Sequence, residues 1–153
     1  MITINIDNEQ YSISTDKAKL DIESIHSFLS TKAYWSLNIP RTTLQTAIDN
    51  SLCFGVYQDK EQIGFARVIS DFATIAYLGD VYVMENFRGR GISKWLMETI
   101  MGHPSLQGLR RWILLTGDAH ELYRKFGWTN IADETKWMEL HNKNVYSTPT
   151  TAK

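Results

Sequence analysis

The stretch from Leu78 to Lys94, LGDVYVMENFRGRGISK, concentrates residue types able to do chemistry. A strand-like run ends at Val83, and a turn carrying Arg88-Gly89-Arg90-Gly91 leads into a helical pattern that starts at Ile92. Glycines in such a turn allow positive φ, so that successive N–H groups converge on one point. The first turn of the helix adds free N–H groups and the positive end of its dipole, which together suit an anion. Arg88, Arg90 and Lys94 face one carboxylate, Glu85, within this loop, and a pyrophosphate is the natural guest. A lone Gly-x-Gly also makes ordinary strand-to-helix turns with solvated arginines. Neither G-x-x-x-x-G-K-[ST] nor G-x-G-x-x-G is present, because Lys94 occupies the place of the third glycine.

A second cluster is Leu122-Tyr123-Arg124-Lys125-Phe126-Gly127-Trp128. On a short helix, Tyr123 falls at the edge of an apolar stripe, where its ring can pack while its hydroxyl reaches a cleft. Proton acceptors near the same elements are Asp80, Glu85 and His120. Tyr34 and Trp35 are adjacent aromatics in a loop, either a wall for a cation or a plug for the core. Arg67 could orient a charged substrate or pair with Asp71. The four histidines lack ligand spacing, no G-x-S-x-G elbow exists, and Cys53 sits in an apolar run with no histidine near it in sequence.

These residues need elements to hold them. Alternation predicts strands at 2–6 and 10–14 around Asp7-Asn8, then a meander at 52–58, 62–70 and 74–83. Helical periodicity predicts helices from Asp21, over about 42–50 and over about 91–101. A strand at 111–115 follows, and Asp118 with Glu121 has the spacing of a capping box for a helix to about Phe126. Strands are expected at 128–131 and 136–141. The expected fold is one α+β domain over 1–142, a mixed, mostly antiparallel sheet flanked by about four helices, with a flexible tail at 143–153.

The loop Arg88-Gly89-Arg90-Gly91-Ile92-Ser93 resembles the pyrophosphate loop Q/R-x-x-G-x-G/A of the GNAT superfamily of N-acetyltransferases, with Ser93 in the last small position. Val81-Tyr82-Val83 looks like that family's fourth strand, whose backbone pairs with the pantetheine arm of the acyl-CoA. Tyr123, four residues before Gly127-Trp128, is similar to its second signature, with Trp in place of Phe. The resemblance implies a GNAT-type fold and transfer of an acetyl group from acetyl-CoA to an amine of a small molecule or peptide, by direct attack in a ternary complex. It implies cofactor contacts at Val81, Tyr82, Val83, Arg88, Gly89, Arg90, Gly91, Ile92, Ser93 and Lys94. It makes Tyr123 the acid that protonates the departing thiolate and puts an oxyanion donor near Val83. An amine of pKa near 10.4 is about three units too protonated at pH 7, a cost of about 4 kcal/mol, so a proton route is needed. Asp80 acting through water leads the candidates for it. Tyr34, Trp35 and Arg67 are the acceptor-side candidates. The alternative is an acyl-CoA-binding sensor or scaffold without turnover.

The chain has 153 residues, with 16 Lys and Arg against 17 Asp and Glu. A net charge of −1 does not suit partners held by bulk charge, so neither nucleic acid nor a membrane surface is expected. No metal is expected either. One cysteine and no signal-like start lead to the expectation of a cytoplasmic protein. A homodimer is compatible with the sequence.

Overall fold

The computed structural model describes residues 1–147. Six strands form one sheet in chain order, β1 (Ile2–Ile6), β2 (Glu9–Ser14), β3 (Leu52–Gln58), β4 (Glu61–Ser70), β5 (Ile75–Val83) and β6 (Arg111–Leu114). The first five are antiparallel neighbours, and β6 joins β5 in parallel. The hairpin between β1 and β2 turns on Asp7 and Asn8, both at positive φ, residues that tolerate the left-handed region that a tight hairpin needs.

Helices cover the two faces. On one side lie α1 (Ile22–Thr31) and α2 (Arg41–Asp49), which bury Ile25, Leu29, Leu44 and Ile48 against Cys53, Phe65 and Tyr82. The Asp21 carboxylate caps α1 by accepting from the Ser24 N–H. On the other side α3 (Ile92–Met101) buries Ile92, Trp95, Leu96, Met97 and Ile100 against Phe54, Val56, Val68 and Leu78. The short α4 (His120–Arg124) adds Tyr123 to that cluster.

The strands expected at 128–131 and 136–141 do not form. Trp128 packs against Trp112 and Tyr123 with ring centroids 5.8 and 5.9 Å apart, which takes the start of this segment out of line for pairing. The Asp133 carboxylate then accepts from the Thr135 N–H and starts a tight turn over Glu134–Lys136. A cleft of about 850 Å³ separates this segment from β6. In the expected tail, Tyr146 packs against the cluster beneath α1 and α2, while residues 148–153 lie outside the described residues. No helix among the described residues is long and apolar enough to cross a membrane.

Candidate active site

β5 pairs with β6 only from Ile75 to Leu78. From Gly79 to Val83 it has β4 on one side and a free edge on the other, because the two parallel strands splay apart. A bulge shapes this stretch: Phe65 pairs with Tyr82 and Arg67 with Gly79, so Ala66 alone faces both Asp80 and Val81. Asp80 takes up the extra residue at φ +54°. The bulge leaves Val81 and Val83 in the α3-side cluster and Tyr82 in the other.

A short turn over Glu85–Phe87 carries the chain from the free edge to the glycine turn. Gly89 and Gly91 have φ of +78° and +83°, and a side chain built on either would meet nothing within 4 Å. The turn therefore faces open space at the start of α3, where Gly91 offers no side chain to occupy the first helical N–H groups. A phosphate fits this arrangement of small residues and backbone donors.

The arginines are otherwise engaged. Arg88 donates from Nε to the Val83 carbonyl at 2.9 Å, which ties the turn to the end of β5. Arg90, counted above among the phosphate-facing charges, points to the β1–β2 hairpin instead. Its Nη1 donates to the Tyr11 hydroxyl at 2.8 Å and to the Glu9 carboxylate at 3.1 Å, and its guanidinium lies 5.5 Å from the Phe87 ring centre. Lys94 is exposed, 4.0 Å from Glu98.

Arg67 does not pair with Asp71. Asp71 closes its own turn, accepting from the Thr74 hydroxyl and from the N–H groups of Thr74, Ala73 and Ile75, and these bonds, the hydroxyl's first, hold its carboxyl well below the usual range. Arg67 instead donates from Nε to Asp80 at 2.8 Å and from Nη1 to the Ser51 hydroxyl at 3.1 Å. The Trp35 indole donates to the other Asp80 oxygen at 2.8 Å. Trp35 and Tyr34 are 45% and 61% exposed, which places them on the surface rather than in the core. The Gly117 N–H donates to the Tyr34 hydroxyl at 2.8 Å. The α1–α2 connection is thus fastened to β5 and to the loop after β6, on the two sides of the splayed gap.

Tyr123 is buried, and its phenol is pushed up to about 12, first by burial and then by the nearby Asp118 carboxylate. Asp118 does not cap α4. α4 starts at Ala119 with no side-chain cap; the loop before it is held by the Thr116 hydroxyl, which accepts from the Ala119 N–H at 3.0 Å, and the Asp118 carboxylate acts on Tyr123. Burial also drives the Tyr82 phenol upward; its ring stacks on Phe28 at 3.8 Å, so only its backbone borders the free edge. His120 lines the cleft with Tyr123, and Glu85 is exposed in the turn after β5. Among the described residues, no group of His, Cys, Asp or Glu could hold a metal ion.

The sequence profile of the acetyltransferase (GNAT) family matches residues 22–128, a span that holds the splayed edge, the glycine turn and Tyr123. The chain belongs to the GNAT acetyltransferase family. A candidate acetyltransferase of Gibberella zeae is 33% identical over 137 residues, covering 75% of this chain and 76% of its own length. The crystal structure of a candidate GNAT acetyltransferase from Xanthomonas campestris pv. campestris superposes with a TM-score of 0.88 at 51% identity, over 90% of this chain and 97% of that one. A Clostridium acetobutylicum acetyltransferase, crystallised with acetyl-CoA, shares the fold with a TM-score of 0.63 at 16% identity, over 86% of this chain and 94% of that one. As a GNAT protein the chain is an acetyltransferase with an α+β fold around a mixed six-stranded sheet. Sequence reasoning missed Ser51, Thr116, Asp118 and the Glu9–Tyr11 pair in this GNAT site. Thr116 begins a Thr-Gly-Asp run that reads as a turn, whereas Glu9 lies 81 residues from Arg90 and left no local signal.

Proposed function

We propose that this chain is an N-acetyltransferase that moves an acetyl group from acetyl-CoA to an amine of a small molecule or peptide, by direct attack within a ternary complex. One observation carries the reading: the free edge of β5 leads, through the single short turn Glu85–Phe87, into an open glycine turn at the start of α3. Acetyl-CoA, when bound, supplies a thioester whose carbonyl carbon the amine attacks and whose thiolate departs. The free edge from Gly79 to Val83 would take the amide groups of its arm by strand addition, and the N–H groups at Gly89 to Lys94 its pyrophosphate. A backbone N–H near Val83 would hold the developing oxyanion. Tyr123, held neutral well above pH 7, keeps its proton available for the thiolate.

On the acceptor side, Trp35, anchored on Asp80, and Tyr34, bonded to the Gly117 N–H, form a wall, and Arg67 fixes Asp80 from the other side. Both Asp80 oxygens already accept a hydrogen bond, which favours an orienting role over that of the base; the amine proton leaves through water. The lone, buried Cys53 thiol suits a reducing, cytoplasmic setting.

The test couples binding to turnover. Acetyl-CoA should raise the melting temperature, Gly91→Asp should abolish that rise by placing a negative side chain in the open turn, and a panel of amines should release free CoA thiol. An unchanged shift in Gly91→Asp would sink the loop assignment. Binding without thiol release across a broad panel would leave an acyl-CoA-binding scaffold.

A further inference from the structure

The sheet has an apolar row on the α1 side that the helices leave open. Val68 and Leu78 belong to the α3-side cluster, so their neighbours Ile69 and Tyr77 face the α1 side by strand alternation. Ile69 pairs with Tyr77, and Tyr77 with Ile113 on β6, which makes one row across three strands. α1 and α2 cover Cys53, Phe65 and Tyr82 but stop short of this row, where Ile69 is 46% exposed and Tyr77 and Ile113 are half-buried. At about 3.3 Å per residue the row lies about 7 Å from Gly79, where the splayed gap begins, so it is continuous with the site.

Aromatic rings bound the space between the row and the gap. A side chain on Gly79 would meet the Tyr77 ring at 3.1 Å, so that ring leans over the glycine toward the gap. Burial and then the Asp80 carboxylate push the Tyr77 phenol up, and its hydroxyl has no hydrogen-bond partner among the described residues. Trp35 reaches Asp80 from the α1–α2 connection, and the Tyr34 ring stands at 88° to it with centroids 5.0 Å apart.

The charges here sort the acceptors. Arg67 and Asp80 neutralise each other, and Asp71 spends its carboxylate on its own turn. Asp118, exposed in the loop whose Gly117 holds Tyr34, adds a carboxylate near the gap that suits an arriving ammonium ion. Arg111 shares the α1-side face but pairs with Ile75, about 13 Å along β5 from Gly79, and its guanidinium lies over the Trp137 ring. A carboxylate borne on the same carbon as the amine would not reach it and would lie among like charges instead.

We propose that the acceptor is a primary amine carried on an uncharged apolar body of about one ring, which lies on Ile69, Tyr77 and Ile113 beside Trp35, with the amine N–H donating to the Tyr77 hydroxyl. This inference rests on the N-acetyltransferase reading and names the acceptor class for the same site. The apolar row takes the body, the neutralised Arg67–Asp80 pair leaves no charge for it to meet, and Tyr77 fixes the distance between body and gap.

The experiment measures thiol release from acetyl-CoA by the full chain with 2-phenylethylamine, phenylalanine, spermidine and glucosamine 6-phosphate. The first should exceed each of the others in kcat/KM by about tenfold or more, and phenylalanine is the sharpest comparison because it adds only a carboxylate. Ile69→Glu, at a position already in water, should raise the KM for 2-phenylethylamine about tenfold and improve kcat/KM for 1,6-diaminohexane, whose second ammonium would face the new carboxylate. An unfolded variant cannot show that gain. Preference for phenylalanine, spermidine or the sugar phosphate would overturn the proposal and leave the N-acetyltransferase reading standing, whereas no thiol release with any amine would overturn both. An unchanged ranking of amines in Ile69→Glu would overturn the placement of the body on this row.

Discussion

Tyr123 and Asp80 show how surroundings divide labour between two titratable residues. Burial holds the Tyr123 phenol neutral, so Tyr123→Phe removes a proton donor while keeping the ring that packs in the α3-side cluster. The expected result is a kcat lower by about two orders of magnitude with acetyl-CoA affinity retained, read by steady-state kinetics beside calorimetry. Equal turnover would reduce Tyr123 to packing. Asp80 holds the Trp35 indole and the Arg67 guanidinium at 2.8 Å each, with side-chain exposures of 10% for Asp80 and 16% for Arg67. Asp80→Asn should raise the amine KM more than it lowers kcat and leave the pH dependence of kcat in place. Loss of the basic limb of that profile would instead make Asp80 the base. The cost in stability should be about 2 kcal/mol, because Arg67 would lose a charged partner in a half-dry place.

Among the elements, the glycine turn is held from outside as much as from within. Glu9 accepts from Arg90, Tyr11 and Gln58 at 2.8 to 3.1 Å, which bolts the turn to β2 and β3. Glu9→Gln should weaken acetyl-CoA binding roughly threefold to tenfold by loosening the turn. Arg90→Gln should do the same, and the double variant should be no worse than either single one. Salt dependence of binding decides the role: a bolt leaves it unchanged, whereas an Arg90 that touches phosphate would lower it when removed. Little of this network was legible in the sequence, since Glu9 and Arg90 are far apart along the chain and charge counting assigned Arg90 to the ligand. The strands and helices up to Phe126 were legible, because alternation, apolar periodicity and caps act locally. The strands expected beyond Trp128 were not, since a strand exists only with a neighbour to pair with, and no apolar pattern shows whether that neighbour lies within reach.

At the level of the whole molecule, burial has loaded the core with groups that resist losing a proton. The Cys53 thiol is pushed up to about 11 from about 9, and the phenols of Tyr57 and Tyr123 to about 12 from about 10, in each case mainly by burial. The unfolded chain therefore releases these protons first as pH rises. Stability from these groups is full below about pH 9 and drains away between about pH 9 and 12. Thermal melts should be flat from pH 7 to 8.5 and fall steeply above about pH 9.5; a midpoint unchanged at pH 11 would contradict the assignment. The order of assembly has a consequence of a different kind. Two pairs of the sheet close over helices: β2 meets β3 across 41 residues from Ser14 to Gly55, over α1 and α2, and β5 meets β6 across 36 residues from Ile75 to Arg111, over α3. Both closures cost more loop entropy than the hairpins between the other strands. The parallel one holds by four paired positions and stops where the strands splay, so the enzyme's working surface lies on a seam that few backbone bonds keep shut.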